Sequence, residues 1–122
     1  MSEYKKYDLE ERCFNFAKVV GFFCNSISKN FITIEYMRQL IRSSSSIGAN
    51  YIEANESLGE KDFLFRIKIS RKEAKESNYW LRLIKCHMVK PELTDVDKLL
   101  SESIELKKIF SSIIINKSKS NK

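Results

Sequence analysis

The sequence predicts an all-α protein, and three observations lead to that fold class. Four segments repeat apolar residues at intervals of three and four, the spacing of one face of an α-helix. Only three glycines and one proline occur in 122 residues, too few for the frequent turns of a β-sandwich or barrel. Hydrophobic residues make up 43% and charged residues 31%, the balance of a globular protein. We expect residues 1–122 to form a single domain.

The first predicted helix covers residues 8–27. Asp8 is a favourable N-cap residue, and Glu11, three positions later, completes the pattern of a capping box. The polar stretch 25–30 marks the end of this helix. One face is apolar and is expected to enter the core: Leu9, Cys13, Phe16, Ala17, Val20, Phe23, Cys24 and Ile27.

The second predicted helix covers residues 33–57, with Thr33 as its cap and Gly59 as its C-terminal stop. Four consecutive serines, residues 43–46, lie in its middle, and serine generally favours turns. The apolar periodicity continues across them without a proline, so we predict one unbroken helix, in which Ser44 and Gly48 allow a close helix approach. Its predicted inner face is Met37, Leu40, Ile41, Ser44, Gly48, Tyr51 and Ile52.

The last two predicted helices cover residues 61–88 and 94–115. Pro91 separates them, Thr94 is the expected cap of the fourth helix, and Asp97 follows at its third position. Residues 116–122 are rich in Lys, Ser and Asn and are expected to fray. The fourth helix has a regular inner face: Val96, Leu99, Leu100, Ser103, Leu106, Phe110, Ile113 and Ile114.

Helices of about 20–28 residues with short connections predict an antiparallel up-down-up-down four-helix bundle. Some apolar residues lie outside the main faces and exceed what one bundle needs: Ile69, Trp80 and Leu83 on the third helix, and Ile109 and Ile115 on the fourth. Exposed apolar surface of this kind favours self-association.

The sequence favours a cytoplasmic protein. It has no apolar run long enough to span a membrane and no signal segment, so we expect no membrane association. Cys13, Cys24 and Cys86 are an odd number of widely spaced cysteines, which predicts buried, reduced thiols.

The residues give no support to catalysis, and we expect neither an enzyme nor a small-molecule substrate or cofactor. His87 is the only histidine, and the chain lacks a P-loop, a dinucleotide-binding glycine pattern and a Gly-x-Ser-x-Gly motif. Glu53 with Glu56, and Glu73 with Glu76, form carboxylate pairs three residues apart. A di-iron site would also need Glu-x-x-His, which is absent, so we predict no metal and keep a hard-cation site only as a minor alternative.

Several segments resemble the 23S rRNA intervening sequence proteins, a family of bacterial four-helix bundles. The most specific part is Ser46, Ile47, Asn50 and Glu53, although Asn55 stands where the family usually has glycine. The resemblance implies a left-handed antiparallel bundle that assembles into a ring-like homopentamer of unestablished molecular function. A similar fold serves as the basic, nucleic-acid-binding accessory protein of diversity-generating retroelements. The fourth helix also fits, so the resemblance covers nearly the whole chain; the other matching segments are residues 8–12, 42–54, 61–63, 72–77 and 79–81.

The family motif forms a polar stripe on the second helix. Arg42, Ser46, Asn50 and Glu53 are spaced by four, four and three residues and so share one side of it. We favour a structural, interhelical network, in which Arg42 pairs with Glu73 or Glu76 of the third helix. A binding site for a polar ligand is the alternative that the sequence leaves open.

The positive charge of the protein, +6 in total, is concentrated on the third helix. Residues 61–90 contain nine basic and three acidic side chains. Tyr79 lies on the basic side of the helix, where its ring could stack on a base or ribose. The sequence therefore predicts binding to the RNA or DNA backbone, and a structural or protein-interaction scaffold is the alternative. The basic residues share one arc of about 100°, which excludes Glu73 and Glu76: Lys61, Lys68, Arg71, Lys72, Lys75 and Arg82.

Overall fold

The computed structural model describes residues 6–89 and 93–120, and four helices account for most of them. The helices are α1 (Lys6–Ser26), α2 (Phe31–Asn55), α3 (Glu60–Lys85) and α4 (Leu93–Ser120). No strand occurs within the described residues. The predicted all-α fold class is confirmed.

Neighbouring helices run antiparallel, as their contacts show directly. Contacts pair rising residue numbers on one helix with falling numbers on the next: Tyr36–Trp80, Ser43–Ser77 and Asn50–Arg66 between α2 and α3, and Glu60–Lys117, Asn78–Ser103 and Lys85–Asp97 between α3 and α4. The first helix closes the bundle: Glu10 and Cys13 lie against Asn55 and Gly48 of α2, an antiparallel pairing, and Arg12 pairs with Glu102 on α4. The up-down-up-down order is therefore the observed one.

The serine run lies within an unbroken α2, as predicted. Its hydroxyls donate to carbonyl oxygens one turn earlier: Ser43 Oγ lies 3.3 Å from the Leu40 oxygen, and Ser45 Oγ lies 2.8 Å from the Ile41 oxygen. Ser44 Oγ also donates to the Ile41 oxygen, at 3.3 Å. Because these hydroxyls find partners on their own helix, Ser43 and Ser44 can be buried without disrupting it.

The core-facing side of α2 is rotated relative to the prediction. Ile41 and Ile52 were expected inside, but they are 49% and 48% exposed. Ser43, Ile47 and Ala54 are buried instead. Hydrophobicity alone ranks isoleucine above serine, whereas the close packing of α2 against α3 selects small side chains. On α1 every predicted core residue is buried except Ala17, which is half-buried.

Two predicted caps of α2 are wrong. Asn30 is the N-cap: its side-chain oxygen accepts from the Thr33 amide at 3.0 Å, and Thr33 Oγ1 accepts from the Asn30 amide at 2.9 Å. Thr33 is thus the reciprocal partner in a capping box rather than the cap. At the other end, the helix closes at Glu56, and Gly59 is the N-cap of α3 with an extended backbone.

The outer ends of α1 and α4 also differ from the prediction. The first helix begins at Lys6, so Asp8 lies in its first turn, where a carboxylate complements the positive end of the helix dipole. Thr94 lies inside α4, which begins at Leu93, and Pro91 is outside the described residues. The tail predicted to fray from residue 116 is helical up to Ser120, and Lys117 within it pairs with Glu60 at 3.5 Å; residues 121–122 are outside the described part.

The third helix ends three residues earlier than predicted. The amides of His87 and Met88 donate to carbonyl oxygens three residues back, at 2.9 and 3.2 Å, rather than four. These tighter turns satisfy carbonyls at the end of α3 and close it at Lys85.

Two burial predictions need correction. Ile109 was expected on the surface but is 2% exposed, because α4 turns it towards the core, while Ile115 is 53% exposed. Cys86 was expected to be buried but is exposed, since α3 ends just before it; Cys13 and Cys24 are buried as predicted. Over the described residues, none of the helices has an apolar stretch long enough to cross a membrane.

Candidate nucleic-acid interface

The six basic residues predicted on one arc of α3 do lie at the surface, and together they are called the α3 basic stripe: Lys61, Lys68, Arg71, Lys72, Lys75 and Arg82. Five of these side chains are exposed, and Arg71 is half-buried. None of the six forms an ion pair with a carboxylate of residues 6–89 or 93–120. Their charges are therefore not neutralised within the described chain.

Other basic side chains of the bundle do have acidic partners. Arg12 holds Glu102 through two hydrogen bonds, from Nε at 2.7 Å and from Nη2 at 3.0 Å. Lys85, at the end of α3, lies 2.8 Å from Asp97 on α4. The lack of partners therefore distinguishes the α3 basic stripe from these bridging cations.

An acidic residue borders the α3 basic stripe, although the helical periodicity of the sequence places this residue outside the arc of basic side chains. Glu76 lines a surface depression of about 320 Å³ together with Lys68, Arg71, Lys72 and Lys75. Its Oε1 accepts a hydrogen bond from Arg42 Nη2 at 3.2 Å. The carboxylate is thus engaged with a cation of α2, and the neighbouring lysines remain without a partner.

A larger depression of about 660 Å³ lies over the outer side of α3 and is called the Tyr79 pocket. It extends from α2 to α4, so it brings together side chains from three helices. Three of the lining residues, Lys75, Tyr79 and Arg82, belong to the nucleic-acid surface predicted from sequence. Arg42 and Glu76 belong to the predicted polar network, for which a polar-ligand site was the alternative. The cationic and aromatic lining residues of the pocket are Arg42, Lys75, Tyr79, Trp80, Arg82 and Lys107.

The aromatic side chains of this pocket are held by one another. The Tyr79 and Trp80 rings meet edge to face, with centroids 5.2 Å apart. Trp80 is half-buried, and its ring lies 6.1 Å from that of Tyr36 on α2. Tyr79 itself is 53% exposed, on the same side of α3 as the predicted basic residues.

The predicted network between α2 and α3 is present around Arg42. Its Nη1 lies 3.6 Å from Glu73 Oε2, and its Nη2 contacts Glu76, as the sequence predicted. Glu73 is buried, and its Oε1 accepts no hydrogen bond from the described residues. The salt bridge therefore supplies the positive charge that a buried carboxylate needs.

The rest of the polar stripe is divided between two environments. Asn50 Nδ2 donates to the backbone oxygen and to the hydroxyl of Ser46, both at 3.0 Å. Asn50 Oδ1 accepts from Arg66 Nη1 at 3.0 Å, a contact from α3 that the sequence analysis missed. Glu53 is exposed and lies outside this network. Three of the four stripe residues thus connect α2 to itself or to α3.

The residue types that could bind a metal do not cluster within the described residues, and Cys13 and Cys24 are buried. No group of three or more His, Cys, Asp and Glu residues is placed to hold a metal ion among the residues described. Burial raises the pKa of the Cys13 thiol to about 12 and the pKa of the Cys24 thiol to about 11. Such thiols stay protonated at neutral pH and are poor nucleophiles.

Comparison with known proteins supports the resemblance seen in the sequence. The family profile of the 23S rRNA-intervening sequence protein matches residues 5–112. This chain belongs to that family. A crystal structure of a protein of unknown function from the S23 ribosomal protein family of Bacteroides thetaiotaomicron VPI-5482 is 30% identical, with a TM-score of 0.71. The alignment covers 86% of this chain and 96% of the other. No curated protein matches significantly.

The region matched to the 23S rRNA-intervening sequence family contains the whole candidate interface. The α3 basic stripe, the Tyr79 pocket and the Arg42 network all lie between residues 5 and 112. The last helical turns of α4, up to Ser120, extend beyond the match.

Proposed function

We propose that this family member binds nucleic acid through the phosphate backbone, and that the α3 basic stripe is the contact surface. The observation that carries the proposal is the set of six basic side chains on one helix without an acidic partner in the described chain. A stripe of like charges repels itself, and an anionic partner relieves that repulsion.

The dimensions of the stripe suit a polyanion. Residues 61 to 82 span about 31 Å along a straight helix. One strand of B-form DNA places a phosphate every 3.4 Å or so, so this length covers about nine phosphates. Lysine and arginine contacts with phosphate do not read bases, and we expect little sequence preference and a strong dependence on salt.

We further infer that the protein is a cytoplasmic homo-oligomer, with five subunits as the number suggested by the family resemblance. Exposed apolar side chains support association: Phe14 and Phe22 on α1, and Ile41 and Ile52 on α2. Ile41 and Ile52 lie on the same side of α2, three turns apart. A ring of copies would repeat the α3 basic stripe and strengthen weak phosphate contacts by avidity.

Light scattering tests the assembly. The wild type should have a mass well above the 14.3 kDa of one chain, and replacing Ile41 and Ile52 with Glu should reduce it. A wild-type mass near 14.3 kDa at micromolar concentration would contradict assembly.

Charge reversal tests the contact surface. The triple variant Lys68→Glu, Lys72→Glu, Lys75→Glu removes three charges from the centre of the stripe. The control variant Lys29→Glu, Lys108→Glu, Lys119→Glu changes exposed lysines outside α3 and has the same net charge. Both should retain helicity by circular dichroism and the oligomeric mass of the wild type.

Fluorescence anisotropy with labelled RNA and DNA, at a series of salt concentrations, measures the nucleic-acid affinity of the wild type and of both variants. We expect the stripe variant to lose binding and the control variant to keep most of it. The wild-type affinity should fall steeply with salt, by roughly 0.7 to 0.9 logarithmic units per phosphate contact and per tenfold change in salt. A stripe variant with wild-type affinity at matched salt would rule out this surface, and a wild type that binds no nucleic acid would favour the scaffold alternative.

A further inference from the structure

We propose that the Tyr79 pocket receives an unpaired base, so that the protein prefers single-stranded nucleic acid to duplex. This inference rests on the proposed function and adds a partner class to it. The α3 basic stripe contacts phosphates of either form, whereas the pocket offers a surface that only an unstacked base can use.

The Tyr79 ring is available for stacking and is already held in place. It is 53% exposed, and its edge-to-face contact with Trp80 is part of a row of rings. Trp80 lies 6.1 Å from Tyr36, and Tyr36 lies 5.7 Å from the His87 ring, between centroids. Because Trp80, itself packed against Tyr36, supports the Tyr79 ring, little side-chain freedom is lost when a base stacks on it.

The pocket has the size and the mixture of groups that a nucleotide needs. Its volume of about 660 Å³ is within the usual range for small-molecule sites. Ile104, 44% exposed, adds apolar surface beside the rings, while Lys75, Arg82 and Lys107 provide cations for the flanking phosphates. These cations come from both α3 and α4, so a strand can be held on two sides of the stacked base.

The polar side chains that line the Tyr79 pocket can hydrogen-bond to the edge of a base. Asn78 Nδ2 donates to Ser103 Oγ at 3.0 Å, and its side-chain oxygen accepts no hydrogen bond from the described residues. Gln39 contributes a second amide from α2. Glu76 is the acidic residue among the described lining residues, and its pairing with Arg42 reduces its repulsion of phosphate.

The pocket shares Lys75 and Glu76 with the smaller depression, but it does not include the other two lysines at the middle of the α3 basic stripe. Lys68 and Lys72 line the smaller depression and are absent from the larger one. Substitution of Tyr79 therefore removes the stacking surface while it leaves the phosphate contacts of Lys68 and Lys72 in place.

Anisotropy with a twelve-nucleotide single strand and a twelve-base-pair duplex, at one salt concentration, tests the preference. The wild type should bind the single strand about tenfold more tightly. The Tyr79→Ala variant should lose roughly fivefold to 150-fold in affinity for the single strand, the range for one stacked base, and retain its duplex affinity. Tyr79→Phe, which keeps the ring, should behave like the wild type.

Fluorescence of Trp80, the single tryptophan of the chain, provides a local readout. Single strand should quench it in the wild type and in Tyr79→Phe more than duplex does. A mononucleotide should bind far more weakly than the single strand, because it lacks the flanking phosphates. A mononucleotide that bound as tightly as the strand would overturn the proposal.

The remaining outcomes separate this inference from the proposed function. Equal affinity for single strand and duplex, with no effect of Tyr79→Ala on either, overturns the pocket assignment and leaves the α3 basic stripe as the binding surface. Loss of both affinities in the Lys68, Lys72, Lys75 variant together with a selective loss in Tyr79→Ala supports both. A wild type that binds neither probe overturns both.

Discussion

The hydroxyls of Ser43 on α2 and Ser77 on α3 lie 2.9 Å apart, and both residues are fully buried. Close by, Ser70 Oγ donates to the Ile47 carbonyl oxygen at 2.9 Å. The boundary between α2 and α3 is thus built from small side chains that hydrogen-bond across it. This close packing supports α3 along the length that presents the basic stripe.

Removing one of these two hydroxyls should show how much the hydrogen bond between Ser43 and Ser77 contributes to stability. Ser77→Ala leaves Ser43 without its partner on α3 and should lower the free energy of unfolding by about 1 kcal/mol. The Ser43→Ala, Ser77→Ala double variant should be more stable than the sum of the two single effects predicts. Urea denaturation measures all three variants, with exposed Ser45→Ala as a control of nearly unchanged stability. Strictly additive effects would show that the two hydroxyls do not interact.

Two glycines should respond differently to alanine. A Cβ at Gly21 meets nothing within 4 Å, whereas a Cβ at Gly48 lies 3.1 Å from Cys13 Cβ. Gly21→Ala should stabilise the protein by up to about 1 kcal/mol through helix propensity. Gly48→Ala should lose that gain and destabilise, since Cys13 Cβ is fixed to the backbone of α1. Thermal denaturation compares them, and equal stabilisation would contradict the close approach of α1 and α2.

Arg42 should be needed for the stability of the fold, because it supplies a positive charge beside the buried Glu73 carboxylate. Arg42→Met removes the positive charge 3.6 Å from the Glu73 carboxylate and should lower stability by about 2 kcal/mol. Adding Glu73→Gln should recover part of that loss, because a neutral amide needs no counter-charge. Arg38→Met, which breaks an exposed pair with Glu35 at 3.9 Å, is the matched control and should have little effect. Failure of Glu73→Gln to recover stability would argue against this explanation.

Thiol labelling should distinguish the three cysteines. Cys86 is exposed and should react with a disulfide reagent at pH 8, while Cys13 and Cys24 are buried with raised pKa values and should not. One thiol per chain should therefore react in the native state and all three in denaturant. Cys86→Ser should abolish the native reaction. Rapid native labelling of that variant would contradict the burial of the other two thiols.

The raised pKa of Cys13 also predicts a pH dependence. Burial favours the neutral thiol, so folding is supported below the ordinary thiol pKa of 9.0 and loses that support as the pH rises towards about 12. The stability advantage of the wild type over Cys13→Ala should therefore shrink between pH 8.5 and pH 10.5. Urea denaturation at both pH values measures it, and a constant difference would contradict the linkage.

The Tyr79 pocket was only half predictable from sequence. Periodicity places Lys75, Tyr79 and Arg82 on one side of α3, because residues of one helix have known relative angles. Lys107 belongs to α4, and no spacing along the chain relates it to α3. Arg42 of α2 was expected to pair with Glu73 or Glu76 rather than to line a nucleic-acid site. A correct bundle order, with side-chain directions on each helix, was the signal that could have suggested them.

The sequence by itself determined the number of helices, the continuity of α2 through its serines and the inner face of α1. Those features follow from local periodicity and short connections. Tertiary packing decided which sector of each helix is buried: it places Ser43 inside and Ile41 outside, and it buries Ile109. The physical reason is that an amphipathic pattern defines angles within a helix, whereas the rotation of that helix is set by the shapes and hydrogen bonds of its neighbours.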